Sequence, residues 1–231
     1  MDYPKEGDSD SMNWSEFVLA KVLLTVGIVL VLFAFILIIV CMSMSTWEQD
    51  TEKIQSEDIV VEWGLLGYKV RETVVGKTTM KSYADKVDLE STSQAKARVK
   101  FMWAGLITFI GSFVPLLLCI ISVVAAVVAW IAFLNKRLVQ IIAYISWIAI
   151  IVAGLTINVL GLVYYFMRVK LGSMRVPVTN GTASIDLGFP WFGWTWVLYN
   201  TIGIFLTLGG LIIIAIPLII MLIFKYKNRD E

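Results

Sequence analysis

Apolar residues gather into four long runs, at 17–42, 101–134, 138–167 and 191–224, separated by stretches where charged residues and single hydrophobics mix. About 20 mainly apolar residues suffice to cross ~30 Å of hydrocarbon, so each run predicts a membrane-spanning helix. In lipid the backbone must satisfy its own N–H and C=O groups, which a helix does within itself. The alternating pattern of a membrane β-barrel is missing from these runs. The first run is too long for the apolar core of a cleaved signal, and no small-residue cleavage site follows it, so it is expected to persist as a span. The expected architecture is a mainly α membrane protein, a four-transmembrane-helix bundle with a small extracellular antiparallel β-sheet. The polar segments then read as a cytosolic acidic tail (1–16), a first extracellular loop (48–100), a cytosolic turn (135–137), a second extracellular loop (168–190) and a cytosolic basic tail (225–231).

The first loop is where strand periodicity appears. From residue 58 to 83 polar and apolar residues alternate, with Val61, Trp63 and Leu65 on one face, a second strand from Tyr68 towards Val75, and Gly76-Lys77 as a turn into a third at 78–83. Helix two is expected to begin above the membrane at 95–100. The second loop predicts a strand at 174–178, a turn at 179–182 and a return at 183–187. Trp47, Trp103, Tyr164, Tyr165, Trp191, Trp194, Trp196 and Tyr199 cluster at the loop-side ends of the runs and predict an interfacial aromatic belt. Small residues at packing intervals (Ala125/Ala129, Ala149/Ala153, Gly154/Gly161, Gly203, Gly209-Gly210) allow close helix approach. Asn158 and Asn200 are expected to hydrogen-bond between helices, and Pro115 and Pro217 mark candidate kinks.

Composition sharpens the class. Of 231 residues, 58 % are hydrophobic and 16 % charged, and the mean hydropathy is +0.81. Those values belong to an integral membrane protein. A net charge of +1 without a basic stripe gives no basis for nucleic-acid binding. Histidine is absent, which removes Ser-His-Asp and Cys-His arrangements and His-ligated metals. Cys41 and Cys119 both fall inside spans, so no disulfide is expected across the loops. Between Val22 and Met42, and in the other three runs, there is no charged residue of the kind a transporter or proton pump would need. Lys21 lies near enough to the start of helix one to snorkel to the interface. Gly76-Lys77-Thr78-Thr79 mimics the end of a phosphate-binding loop, but Arg71 stands where that motif needs glycine, and a hairpin turn is the better reading. Charge divides the first loop: residues 48–62 hold six acids and one base, residues 63–100 four acids and eight bases. Neighbouring strands would bring the two signs together. Glu48, Asp50, Glu52, Glu57, Asp58 and Glu62 lack the spacing of a calcium loop and are expected to be solvated.

Bases flank the spans in comparable numbers on both sides, so charge asymmetry does not orient the chain. The sequon Asn180-Gly181-Thr182 lies clear of the helices, making Asn180 a candidate glycosylation site, whereas Asn13-Trp14-Ser15 abuts helix one. Both favour cytosolic termini and extracellular loops in a multi-pass protein of the plasma membrane.

Several of these features together resemble the claudin superfamily, which also takes in peripheral myelin protein and the calcium-channel γ subunits. They are the four spans with the longest loop first, Trp47 closing helix one, Trp63-Gly64-Leu65-Leu66 in place of a W…GLW signature, an alanine-rich stretch ending in Arg98, and Gly193-Trp194 with Gly209-Gly210 in helix four. The likeness covers residues 17–224. Leu66 replaces the last Trp of the signature, the paired loop cysteines are missing and a terminal Tyr-Val is absent, which makes the chain a divergent relative. The resemblance implies a left-handed bundle whose outer loops form one sheet, the second loop supplying a strand at 175–178. Without the disulfide that sheet must rest on packing, and Trp63, Leu65 and Leu66 are expected to lie against the helix ends. The resemblance implies a non-enzymatic protein that mediates lateral or cell–cell membrane assembly through its extracellular loops. The alternative is an auxiliary regulatory subunit of an ion channel or receptor. Expected partners are membrane lipid and either a second copy or another membrane protein, a channel or claudin-like neighbour. No cofactor and no nucleic acid are expected.

Overall fold

The structure, a computed structural model, describes residues 14–54, 57–131, 136–169, 171–179, 181–187 and 193–227. Asn13, Asn135, Asn180, Trp191, most of the acidic tail and the end of the basic tail lie outside the described residues. The fold is mostly helical: α1 (Trp14–Ser43), α2 (Thr92–Gly111), α3 (Phe113–Ile131), α4 (Lys136–Arg168) and α5 (Trp194–Lys227). Among the described residues four stretches are long and apolar enough to cross a membrane: Lys21–Ser43, Thr92–Ile131, Ile141–Arg168 and Trp194–Ile216.

The second apolar run forms two helices rather than one. Pro115 has no N–H for the carbonyl of Gly111 and its ring crowds that oxygen. The chain therefore turns at Ser112, and Pro115 falls in the first turn of α3, where a missing donor costs nothing. Two hydroxyls occupy carbonyls on the approach to this break: Thr108 Oγ1 donates to Ala104 O (2.9 Å) and Ser112 Oγ to Thr108 O (2.7 Å). Pro217 leaves α5 a single continuous helix.

Helix α2 starts earlier than its hydrophobicity suggests. Ser91 caps it in extended conformation, its hydroxyl accepting from Gln94 N (3.3 Å) while Ser91 N donates to Gln94 Oε1 (3.1 Å). This reciprocal box satisfies two otherwise unpaired amides and sets the helix start at Thr92.

The first polar loop folds into a four-stranded antiparallel meander, β1 (Glu48–Ile54), β2 (Glu57–Trp63), β3 (Gly67–Glu72) and β4 (Lys77–Ser82). Val61 pairs with Val70 and Trp63 with Tyr68, and the alternation buries Ile59, Val61 and Trp63 of β2 with Tyr68, Val70 and Glu72 of β3. Gly76, at φ +66°, closes the β3–β4 turn as expected. Strand β1 was hidden from pattern reading because its acids mask the alternation. The predicted meeting of opposite charges occurs between β2 and β3, where Glu62 lies 3.5 Å from Lys69 and 3.4 Å from Arg71.

The second polar loop forms a hairpin, β5 (Ser173–Val178) and β6 (Gly181–Asp186), close to the predicted bounds. It makes a sheet of its own, so the expectation of one sheet built from both loops is corrected. The hairpin packs on α2 and approaches the larger sheet through side chains. Thr179 donates its N–H to both Glu72 carboxylate oxygens (3.0 Å each), and Gln94 Nε2 reaches Ser173 Oγ (3.4 Å) and Ser184 Oγ (3.2 Å). A carboxylate on β3 thus takes the amide that a neighbouring strand would have paired.

The chain divides into two compact units. One holds residues 37–114 and 156–203, with both sheets. The other holds residues 1–36, 115–155 and 204–231 and is helical throughout its described part.

Candidate functional site

The sheet-bearing unit has the densest chemistry, centred on Trp63. Its indole packs on Phe101 of α2 (centroids 5.0 Å), on Tyr68 (5.3 Å) and, stacked, on Tyr83 (6.4 Å). Its Nε1–H donates to Asp50 Oδ2 at 2.7 Å, so the ring is fixed at both its apolar and its polar end. Gly64 and Leu65 form the tight turn that follows, closed by Gly64 N to Gly67 O (2.8 Å) and by Tyr83 OH to Gly64 O (2.8 Å). The Leu65 backbone presses against α2 at Gly105, where any Cβ would collide with the Leu65 carbonyl. The sheet is therefore seated on the helix as expected for Trp63 and Leu65. Leu66 is 48 % exposed and takes no part in the seat, which corrects its predicted role.

Trp47 forms a second centre. It is fully buried between Tyr164 (5.2 Å) and Tyr199 (5.1 Å) and donates Nε1–H to Cys41 O (2.8 Å). The three rings expected in an interfacial belt are thus core residues. A buried indole and a buried phenol need polar partners, and here Cys41 O and Ser112 supply two, the latter 2.6 Å from Tyr199 OH. Gly193 joins this centre: its N–H donates to Trp47 O (2.9 Å) and a Cβ there would strike Thr46 O. Trp194 points away and is 87 % exposed, as is half of Trp103, so these two keep the surface placement that the belt requires.

Two buried arginines tie the segments together. Arg98 holds Glu90 through Nε (3.0 and 3.3 Å) and donates Nη1–H to the Tyr83 carbonyl, fixing both ends of the 84–90 loop. Arg168, at the end of α4, lies over the Phe101 ring (4.9 Å). Its Nε donates to Glu48 Oε2 at 2.5 Å, its Nη2 is 3.7 Å from Asp50 Oδ2, and its Nη1 donates to Leu187 O at 3.3 Å. Burial pushes the Glu48 carboxyl up to about 7, Arg168 pulling it back and Asp50 adding to the rise. Burial also raises Asp50, against its bond from Trp63 and the charge of Arg168. Glu48 is buried and Asp50 and Glu62 are largely so, which overturns their reading as solvated acids. Burial raises Tyr68 to about 12 and Tyr83 well above its ordinary range, so both phenols stay neutral.

Of the residues singled out from sequence, the structure assembles Trp47, Trp63, Gly64, Leu65, Arg98 and Gly193 in one unit. Gly209 and Gly210 belong to the other, where they let α5 approach Leu30 of α1 and Ile151 of α4. Asn200 donates to Trp196 O (2.9 Å) in its own helix rather than across helices, while Trp196 Nε1 makes the cross-helix bond to Gly161 O (3.2 Å). Sequence reasoning missed Arg168 with Glu48, and also Phe101, Tyr83 and Glu90. A lone arginine closing one span and an acid directly after another were the available signal for the first pair.

Among the described residues no group of three or more His, Cys, Asp or Glu side chains is arranged to hold a metal ion. Both cysteines are free and buried. No protein-family model matches the chain, and no curated protein matches it either.

Proposed function

We propose that this chain is a non-enzymatic membrane protein whose folded loops mediate lateral or cell–cell assembly from the plasma membrane. One observation carries the reading: the sheet-bearing unit is braced internally yet leaves large apolar side chains uncovered outside the apolar spans. Met80 on edge strand β4 is 73 % exposed and Leu89, in the 84–90 loop, 82 %. Exposed apolar groups on a rigid, water-facing support favour protein contact. Strand β4 also carries an unpaired edge, a ready surface for another chain, with Lys77 and Lys81 limiting indiscriminate pairing.

The test is purification of the full chain in mild detergent, followed by its mass in solution. Self-association lost in Met80→Glu, in Leu89→Glu or in both supports assembly through the exposed residue that was changed. A monomer that co-purifies in fixed ratio with a channel or receptor transfers the reading to an auxiliary subunit. Cytosolic termini and extracellular loops are part of the proposal. A glycan removed by Asn180→Gln supports that orientation, and cytosolic labelling of Lys77 defeats it.

A further inference from the structure

Glu48 lies in a place where charge does not balance. Among the described residues the titratable or charged groups that act on it are Arg168 and Tyr164 from α4, Asp50 from its own strand, and Tyr83 from the segment after β4, while Asp186 of β6 and Glu52 act on Asp50. Trp63 of β2 contributes only its N–H, to Asp50. The other buried guanidinium of this unit, Arg98, is engaged by Glu90. With both acids ionised, two carboxylates face one guanidinium, an excess of one negative charge in a cluster whose Glu48 and Arg168 are buried and whose Asp50 is largely so. Hydrogen bonding is incomplete in the same place. Glu48 Oε2 accepts from Arg168 Nε, but among the described residues Glu48 Oε1 and Arg168 Nη2 complete no hydrogen bond, and Tyr164 OH has only the Glu48 carboxyl within reach, without full hydrogen-bond geometry.

We infer that this cluster holds one exchangeable proton on Glu48 Oε1, and that losing it loosens the tie between the four-stranded sheet and the β5–β6 hairpin. With the proton in place the cluster is neutral, Oε2 still accepts from Arg168, and Oε1–H gives the Tyr164 hydroxyl a donor. Arg168 is then free to hold Asp50 of β1 and the Leu187 carbonyl that ends the hairpin. When the proton leaves for solvent, the second carboxylate competes for the guanidinium and one negative charge stays uncompensated, a costly state in a buried site. The inference is independent of what the loops recognise.

The sign follows from linkage. Burial holds Glu48 at about 7 in the folded chain against its ordinary 4.5. Between those values the folded state keeps a proton that the unfolded state has lost, so stability is fullest below 4.5 and declines as pH rises through about 7. Asp50 shifts in the same direction and reinforces the trend.

The experiment is an infrared titration of the full chain in lipid nanodiscs, with thermal unfolding followed over the same range. A protonated-carboxyl band that disappears between about pH 6 and 8, is missing from Glu48→Gln and moves to lower pH in Asp50→Asn is expected. The unfolding constant should rise by up to about tenfold per pH unit between about 4.5 and 7 and level off above that, and Glu48→Gln should flatten the rise. No titrating band in the wild type, or a band kept in Glu48→Gln, overturns the inference. If Glu48→Gln fails to fold, the wild-type band and its midpoint decide alone.

Discussion

The two compact units cohere by different means. In the sheet-bearing unit the buried positions hold Trp47, Trp63, Tyr68, Tyr83, Phe101, Tyr164 and Tyr199, with Arg98, Arg168, Glu48 and Glu72 among them. In the helical unit they hold Ala34, Ala126, Ala129, Ala143, Ala149 and Ala153 beside Leu24, Val31, Ile150 and one aromatic, Trp147, and among the described residues the buried polar side-chain groups are the hydroxyls of Ser122 and Ser146 and the Trp147 indole N–H. The contrast is the one expected of sheets that meet water and apolar helices that lie in lipid. A unit that meets water gains from burying large aromatic area and can pair charges it cannot leave exposed. Helices in lipid gain nothing from burying one apolar surface against another, so they rely on close contact and a few hydrogen bonds. The glycines show the second mode: a Cβ on Gly209 would come within 3.0 Å of Leu30, and one on Gly210 within 2.6 Å of Ile151.

The largest effect should come from removing the aromatic centre. Trp63→Ala takes away an indole that three other rings pack on and leaves Asp50 without its donor, a loss of ~3–5 kcal/mol by comparison with other buried aromatic truncations. Protease should then cut the 48–91 segment rapidly while the helical unit keeps its far-ultraviolet dichroism. Wild-type resistance in this variant would mean that the seat on α2 is held elsewhere. Gly105→Val sharpens the result, because it pushes the Leu65 carbonyl off the helix without touching a ring.

Arg168→Met comes next. It strands Glu48 and Asp50 in a buried site, and leaving one member of such a group unpaired costs ~3–5 kcal/mol. Because both acids can take up a proton, the observed loss should fall towards the low end of that range and shrink in acid. Chemical denaturation of the variant at two pH values measures this, and an equal loss at both would separate the arginine's packing over Phe101 from its charge.

The same contrast explains what could be read from the residues alone. Helices in lipid announce themselves by length, since twenty apolar residues in a row have few other uses. The four spans were accordingly legible, as was the β3–β4 turn at Gly76, where local backbone chemistry decides. The site was half legible. Trp63, Gly64, Leu65 and Arg98 stand out in sequence, and they do assemble. The Arg168–Glu48 pair joins residues 120 positions apart, and no local pattern encodes such a meeting. Trp47 was misplaced for a related reason: an indole at a helix end suits a membrane interface and a buried core equally, and Tyr164 and Tyr199 choose between them from distant helices. The break at Ser112 and the start at Thr92 depend on Pro115 and Ser91, small signals beside the apolar run that surrounds or follows them.

A smaller effect separates the helix start from the span it leads into. Ser91→Ala removes the acceptor for Gln94 N and should cost ~1 kcal/mol. Amide exchange at residues 92–95 should quicken while the amides of 101–111 keep their protection. Exchange that quickens along all of α2 would show that the cap and the apolar run unfold as one piece.

The smallest change tests the lipid side of the comparison. Ser122 of α3 and Ser146 of α4 face each other at 2.9 Å, and Ser146 Oγ also donates to Ser122 O at 2.9 Å. If polar bonds between helices were the main cohesion of the helical unit, Ser146→Ala would be as damaging as the loss of a buried ion pair. Measured bonds between helices in lipid average only about 0.6 kcal/mol, because the separated helices find other partners. The close approach around Ala149 and Ala153 should therefore carry more weight than the hydroxyls. Ser146→Ala should shift the midpoint of unfolding in mixed detergent only slightly, and Ala153→Leu, which adds bulk at a fully buried contact, should shift it more. The reverse order would mean that hydrogen bonding, rather than packing of small residues, holds these helices together.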